Sequence, residues 1–305
     1  MNKKLVLVTC PRVEENLSDF KNFFNHNNIE SIFSYPTNQQ FDKDEMKKLL
    51  KNVDLAIVGD DDLSRGAISD LSKLKYIIKW GSGVDNIDLD FAEQNNIEVF
   101  NCPNILGKYV AEYGLGMLLA LIKQISKTDT QVRKNVWLKN KNDTLFNSKI
   151  GFFGFGDVAS EFVKLLEPFS PTISYCDIQE KNNKFKRLEF DEFIHENKIF
   201  ILTSNLTDKN MSIFDKKIFE RMRKDSILIN ISRGGLINEN DLYMALKTST
   251  IKGAALDVFQ EEPLPKESKL RTLDNLILGT HNASNVGLAN IDVNKYILKL
   301  MSEIL

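Results

Sequence analysis

The stretch Lys149-Ile-Gly-Phe-Phe-Gly-Phe-Gly-Asp-Val-Ala159 decides the fold. It closes a short apolar run of strand type and opens an amphipathic helical stretch. Between the two, Gly154 permits a tight turn and Gly156 lets the backbone come close to a pyrophosphate. Ala159 is the third small residue, which lets helix and strand pack together. The helix start then offers unpaired N–H groups and a positive dipole end to phosphates. Taken alone, Gly-x-Gly-x-x-Ala fits a plain strand-to-helix turn equally well. Asp177 tips the balance. It ends the next strand, where a carboxylate can accept the ribose hydroxyls of adenosine. The same carboxylate repels a 2′-phosphate, so the reading is NAD in preference to NADP. Asp157, directly after Gly156, is awkward: a negative charge beside a pyrophosphate is unfavourable unless it points away or caps the helix.

From this turn onward, strand-like runs recur at 149–153, 172–176, 199–203, 226–231, 252–257 and 275–278, with helical stretches between them. Such alternation means βαβ units and a parallel sheet. Upstream, the same alternation occurs with runs at 4–9, 30–33, 55–58, 76–78 and 98–100. That is a second, smaller doubly wound sheet. A helical stretch near 108–134 links the two, and its apolar residues suit either the face of a second subunit or an ordinary core. Residues 290–305 read as a terminal helix expected to return to the first sheet.

Three chemistry-bearing residues follow strands of the second sheet: Arg233, Glu262 and His281. In open parallel sheets, ligands bind outside the carboxyl ends of strands. Hydride addition to a 2-keto acid creates an alkoxide that must gain a proton, and a histidine titrating near neutrality can supply it. A carboxylate on the far ring nitrogen orients the ring and favours its protonated form. An arginine can grip a substrate carboxylate and polarise the adjacent carbonyl. The other histidines, His26 and His195, fall near helix ends, where a structural role suffices. Arg12 and Lys79, each after a strand of the first sheet, would suit a distal anionic group of the substrate, such as the phosphate of 3-phosphoglycerate. They fit equally well as surface residues.

The formal net charge of -2 gives no bulk field for nucleic acid or an anionic membrane. No apolar run approaches the roughly 18 residues of a spanning helix. The apolar stretch at the start ends at Pro11-Arg12, too early for a signal peptide. Cys10, Cys102 and Cys176 offer neither a disulfide framework nor a metal spacing, so buried thiols in a cytoplasmic protein are expected.

Longer motifs carry a resemblance: Gly81-Ser-Gly-Val-Asp-Asn-Ile-Asp88, Asn101-Cys-Pro-Asn104, Val110-Ala-Glu-Tyr113, the turn at 149–159, and the stretches around Arg233, Glu262 and His281. Nearly end to end, the chain resembles the D-isomer-specific 2-hydroxyacid dehydrogenases, and most of all their phosphoglycerate dehydrogenase-like branch. The resemblance implies an α/β fold in which a Rossmann NAD-binding domain, 104–284, is inserted into a flavodoxin-like substrate domain, 1–103 and 285–305. It implies that Arg233 binds and polarises substrate, that His281 is the acid/base, and that Glu262 pairs with it. Gly154, Gly156, Asp157, Val158, Asp177, Ser204, Ile231 and Asp257 match cofactor positions, with Asp257 near the nicotinamide. Ser82 and Gly83 would offer backbone N–H groups to the substrate carboxylate. The partners implied are a small 2-hydroxy or 2-keto acid and a second copy of the chain, joined through the helix near 108–134. Three departures stand out: Thr280 replaces a proline before the histidine, Asp157 replaces an arginine, and Asn205 replaces a proline. Two rival readings share the fold: an NAD-responsive, corepressor-like protein with little catalysis, and a formate or phosphite dehydrogenase.

Overall fold

A computed structural model describes residues 3–38, 40–181 and 184–305. The chain divides into two compact units, Met1–Leu106 with Asn285–Leu305, and Gly107–Ser284. The first unit contains β1 (Leu5–Val8), β2 (Glu30–Phe33), β3 (Leu55–Val58), β4 (Tyr76–Lys79) and β5 (Glu98–Phe100). They form one parallel sheet in the order β2-β1-β3-β4-β5. This is the flavodoxin-like order, with its switch point between β1 and β3. β3 is buried along its whole length, as a central strand covered on both faces must be, whereas the edge strand β2 is largely exposed. The terminal helix Gly287–Ile304 belongs to this unit and packs on the short helix Pro11–Asn16 that comes after β1.

The second unit holds β6 (Lys149–Phe153), β7 (Thr172–Cys176), β8 (Lys186–Arg187), β9 (Ile199–Leu202), β10 (Ile227–Asn230), β11 (Gly253–Leu256) and β12 (Leu276–Leu278). Their order is β12-β11-β10-β9-β6-β7-β8, all parallel. Read from β8, this is the Rossmann order extended by one strand, and its switch point lies between β6 and β9. The sequence predicts six strands here. The seventh, β8, is two charged residues on the sheet edge, too short and too polar to show any periodicity. Apolar clusters cover both faces of the sheet. One centres on Phe193, Phe200, Phe214 and Leu228, the other on Phe152, Phe162, Tyr175 and Ile229.

The helical stretch expected over 108–134 is two helices, Gly107–Ile122 and Ile125–Arg133. Gln124 adopts a left-handed conformation, φ 51°, which ends the first helix. The first helix buries Ala111, Gly114, Met117, Leu118 and Ile122, while the second buries none of its residues. Among the described residues no helix is long and apolar enough to cross a membrane.

Candidate active site

The second unit carries most of the predicted site, and its glycine-rich turn is built by close backbone approach. Gly154 has φ 85°, and a Cβ there would lie 2.6 Å from Ser204 Cα. Only glycine tolerates both. The Thr203 hydroxyl donates to Gly154 O (2.7 Å), fixing the turn against the end of β9. Gly156 then caps the helix Asp157–Leu166. A Cβ at Gly156 would meet nothing within 4 Å, so the surface in front of this helix start is open. Asp177 Oδ2 accepts the Phe155 N–H at 2.8 Å and Oδ1 accepts the Gln179 N–H at 3.0 Å. Its side chain is 13% exposed and thus still reachable. An open cradle of helix N–H groups beside a reachable carboxylate fits a dinucleotide.

The awkward Asp157 points away from the turn. Its Oδ2 accepts the Gly107 N–H at 3.0 Å, so it closes the start of the helix Gly107–Ile122. Burial raises its pKa, against the lowering effect of that bond. Val158 packs on the core below, and Ile231, 7% exposed, lies just past β10. The Ser204 hydroxyl donates to Asn205 O at 3.1 Å.

The three expected catalytic residues lie beyond β10, β11 and β12 of the same sheet. Glu262 Oε2 lies 2.7 Å from His281 Nδ1, while its Oε1 accepts the Phe259 N–H at 2.9 Å. The carboxylate is therefore held from behind and bonds the ring in front. His281 sits at φ 52°, a conformation uncommon outside glycine. Asp257 secures it. Asp257 O accepts the His281 N–H at 2.6 Å, Oδ1 accepts Asn282 N–H at 3.1 Å, and Oδ2 accepts Ala283 N–H at 2.9 Å. Tyr113 also hydrogen-bonds this carboxylate, and burial raises the pKa of both groups. Arg233 is tied in place by its backbone O, which accepts Asn230 Nδ2 (2.9 Å), and its Nη1 donates to Ser232 O. Gly234 beside it touches the backbone of Phe259 and Gln260 so closely that a Cβ would overlap the Phe259 carbonyl. The arginine and glutamate loops are thus in direct contact.

Sequence reasoning missed Tyr113, Asn230 and Gly234 as supports, because each acts through a neighbour distant in the chain. In the first unit, Ser82 is exposed, and its carbonyl accepts Asn101 Nδ2 at 2.7 Å. Lys79 is 3% exposed and bonds Asp60 at 2.7 Å. It is therefore not a surface residue, and Asp60 matches its charge. Arg12 lies over the Trp80 ring, 4.9 Å from the centroid.

A Rossmann unit bearing a histidine–carboxylate pair and an arginine beyond adjacent strands defines an NAD-dependent oxidoreductase. Residues 115–283 match the D-isomer specific 2-hydroxyacid dehydrogenase, NAD binding domain. The chain is 32% identical over 261 residues to a D-3-phosphoglycerate dehydrogenase of Methanocaldococcus jannaschii, covering 80% of this chain and 48% of that one. It therefore spans about half the length of that relative. It is 30% identical over 252 residues to a hydroxypyruvate reductase of Thermotoga maritima, covering 80% of this chain and 82% of the relative. An NAD-dependent formate dehydrogenase from Staphylococcus aureus, solved with NAD, superposes with a TM-score of 0.87 at 25% identity, over 99% and 95% of the two chains. The chain belongs to the D-isomer-specific 2-hydroxyacid dehydrogenase family.

Proposed function

We propose that the protein interconverts a small D-2-hydroxy acid and its 2-keto acid in a reducing, cytoplasmic setting. The observation that carries the reading is the 2.7 Å contact between His281 Nδ1 and Glu262 Oε2. NAD, when bound, accepts or supplies the hydride. Arg233 grips the substrate carboxylate and polarises the carbonyl. With Nδ1 facing the carboxylate, proton transfer to the nascent alkoxide falls to His281 Nε2. Glu262 keeps the ring oriented and favours its protonated form. Gly154, Gly156, Val158, Asp177, Ser204 and Ile231 would hold the cofactor, with Asp157 bonded to the Gly107 N–H behind the turn. Asp257, which holds the 281–283 backbone, would help hold the nicotinamide end of a bound NAD. Ser82 and Gly83 offer backbone N–H groups to the substrate carboxylate.

Support for a phosphorylated acid comes from Arg12 and from the relative named as a D-3-phosphoglycerate dehydrogenase, while Lys79 is engaged by Asp60. Relatives named as hydroxypyruvate and glyoxylate reductases support a shorter, unphosphorylated acid. Free thiols at Cys10, Cys102 and Cys176, each pushed up to about 11 mainly by burial, support the reducing compartment. A second copy of the chain covers the exposed apolar residues Ile125, Trp137 and Leu138.

The test is His281→Ala. It should bind NADH as the parent does, by fluorescence titration, while turnover of 2-keto acids falls by about 10²–10⁴-fold. Near-parental rates would refute the acid/base role. NAD binding by the parent with no turnover of any 2-keto acid would favour a corepressor-like protein.

A further inference from the structure

We propose that Tyr113 is a positioning residue for the acid/base histidine, and that it acts through Asp257. The inference rests on the role given to His281 above, and every residue in it belongs to the second unit.

His281 needs a brace. It holds φ 52°, and in Gly279-Thr280-His281-Asn282 no proline ring fixes the chain on either side. The hold comes from hydrogen bonds, and Asp257 supplies three of them. Its backbone O accepts the His281 N–H, and its carboxylate oxygens accept the Asn282 and Ala283 N–H groups. The brace works only while that carboxylate keeps its orientation. Gly279 forms one wall, since a Cβ there would overlap Asp257 Oδ1. Tyr113 gives the other constraint, a hydrogen bond from a side chain to the same carboxylate.

The helix Gly107–Ile122 delivers that donor. At Gly253, the first residue of β11, a Cβ would lie 3.3 Å from Leu121 Cδ1. At Gly114, a Cβ would lie 2.7 Å from Ile231 Cδ1, just past the end of β10. The helix therefore runs antiparallel to these strands, packed close by its glycine. From Leu121 back to Tyr113 is about 12 Å of helix. From Gly253 forward to Asp257 is about 13 Å of strand. The two lengths match, so a tyrosine at 113 arrives level with the carboxylate at 257. The ring packs on the apolar cluster beneath the helix, and the start of the helix is fixed by Asp157, whose Oδ2 accepts the Gly107 N–H at 3.0 Å.

Proton affinities set the direction of the bond. Burial, with the charge of Asp257 adding to it, raises the Tyr113 phenol above its ordinary value, so it keeps its proton and donates. Asp257 is 1% exposed. Burial raises its pKa too, and the Asn282 and Ala283 N–H groups and the Tyr113 hydroxyl oppose that rise. Without the hydroxyl the carboxylate has one donor fewer and is freer to turn. The 281–283 backbone then loses part of its anchor, and His281 Nε2 drifts from the alkoxide. Glu262 does not correct this, because it bonds the ring at Nδ1 and leaves the backbone free to move.

The experiment compares the parent with Tyr113→Phe, which keeps the ring and its packing and removes only the donor. Two readouts are taken. On a 2-keto acid with NADH, kcat should fall by about 10–100-fold with KM nearly unchanged, as for a misplaced proton donor beside an intact substrate grip. By hydrogen exchange, the Asn282 and Ala283 amides should open about 10-fold more readily, while the Phe259 amide, held by Glu262, keeps its parental rate. A lowered urea midpoint with parental kcat makes Tyr113 a structural residue and overturns the proposal. Parental exchange at both amides overturns it as well, whatever the substrate proves to be. A parent that turns over no 2-keto acid, with faster exchange in the variant, removes the reaction and keeps the brace.

Discussion

At position 234 there is no room for a side chain: a Cβ would overlap the Phe259 carbonyl. Gly234 is next to Arg233, and Phe259 N–H holds the glutamate of the histidine pair, so this contact sets the spacing of the three reactive groups. Gly234→Ala should lower stability by about 2–4 kcal/mol in a denaturant melt and lower kcat/KM along with it. A stable variant with full activity would mean that the two loops adjust independently. Arg233, Glu262 and His281 were legible in the sequence because each is a chemically distinctive residue just past a strand of a parallel sheet. Gly234 and Tyr113 were not, since their roles depend on distances across the fold that spacing does not encode. Lys79 shows the converse. Its position at the end of β4 was readable, but its engagement by Asp60 depends on the neighbouring strand end.

Among the elements, the strands of both sheets were the most readable, because central parallel strands are continuous apolar runs. β8 carries no such run, and the break at Gln124 lies in a stretch whose helical composition continues through it. Charge holds the segment between the helix Ile125–Arg133 and β6. Asp143 Oδ2 bonds Lys198 at 2.6 Å and Lys252 at 2.9 Å, tying this segment to the starts of β9 and β11. Burial raises the pKa of Asp143, but the two lysines prevail and hold it below its ordinary value of 3.8. A lowered folded pKa means the stabilisation is present above the unfolded value and is lost as pH falls. Asp143→Asn should therefore cost about 1–2 kcal/mol at neutral pH. The gap between variant and parent in urea melts should narrow as pH drops below about 4. An equal gap at both pH values would show that the ion pairs do not act this way.

For the whole molecule, the surface of the second unit gives the most direct check on assembly. Trp137 is 80% exposed and Ile125 56%, in a segment with no apolar cover of its own. If a second copy covers them, Trp137→Ser should weaken self-association about 10–100-fold by sedimentation velocity, the scale of a lost aromatic anchor. A parent that stays monomeric at every concentration would remove the homodimer. The return of the terminal helix to the first sheet was legible in the apolar pattern of residues 290–305, whereas the insertion of one domain into the other came from the family resemblance. One further consequence concerns ancestry. The Asp157 carboxylate occupies the space a side chain at Gly107 would need. Neither position can change alone without breaking the contact, so in descendants of this chain the two should be inherited as a pair: glycine at 107 wherever aspartate stands at 157, and a bulkier 107 only after the acid has gone.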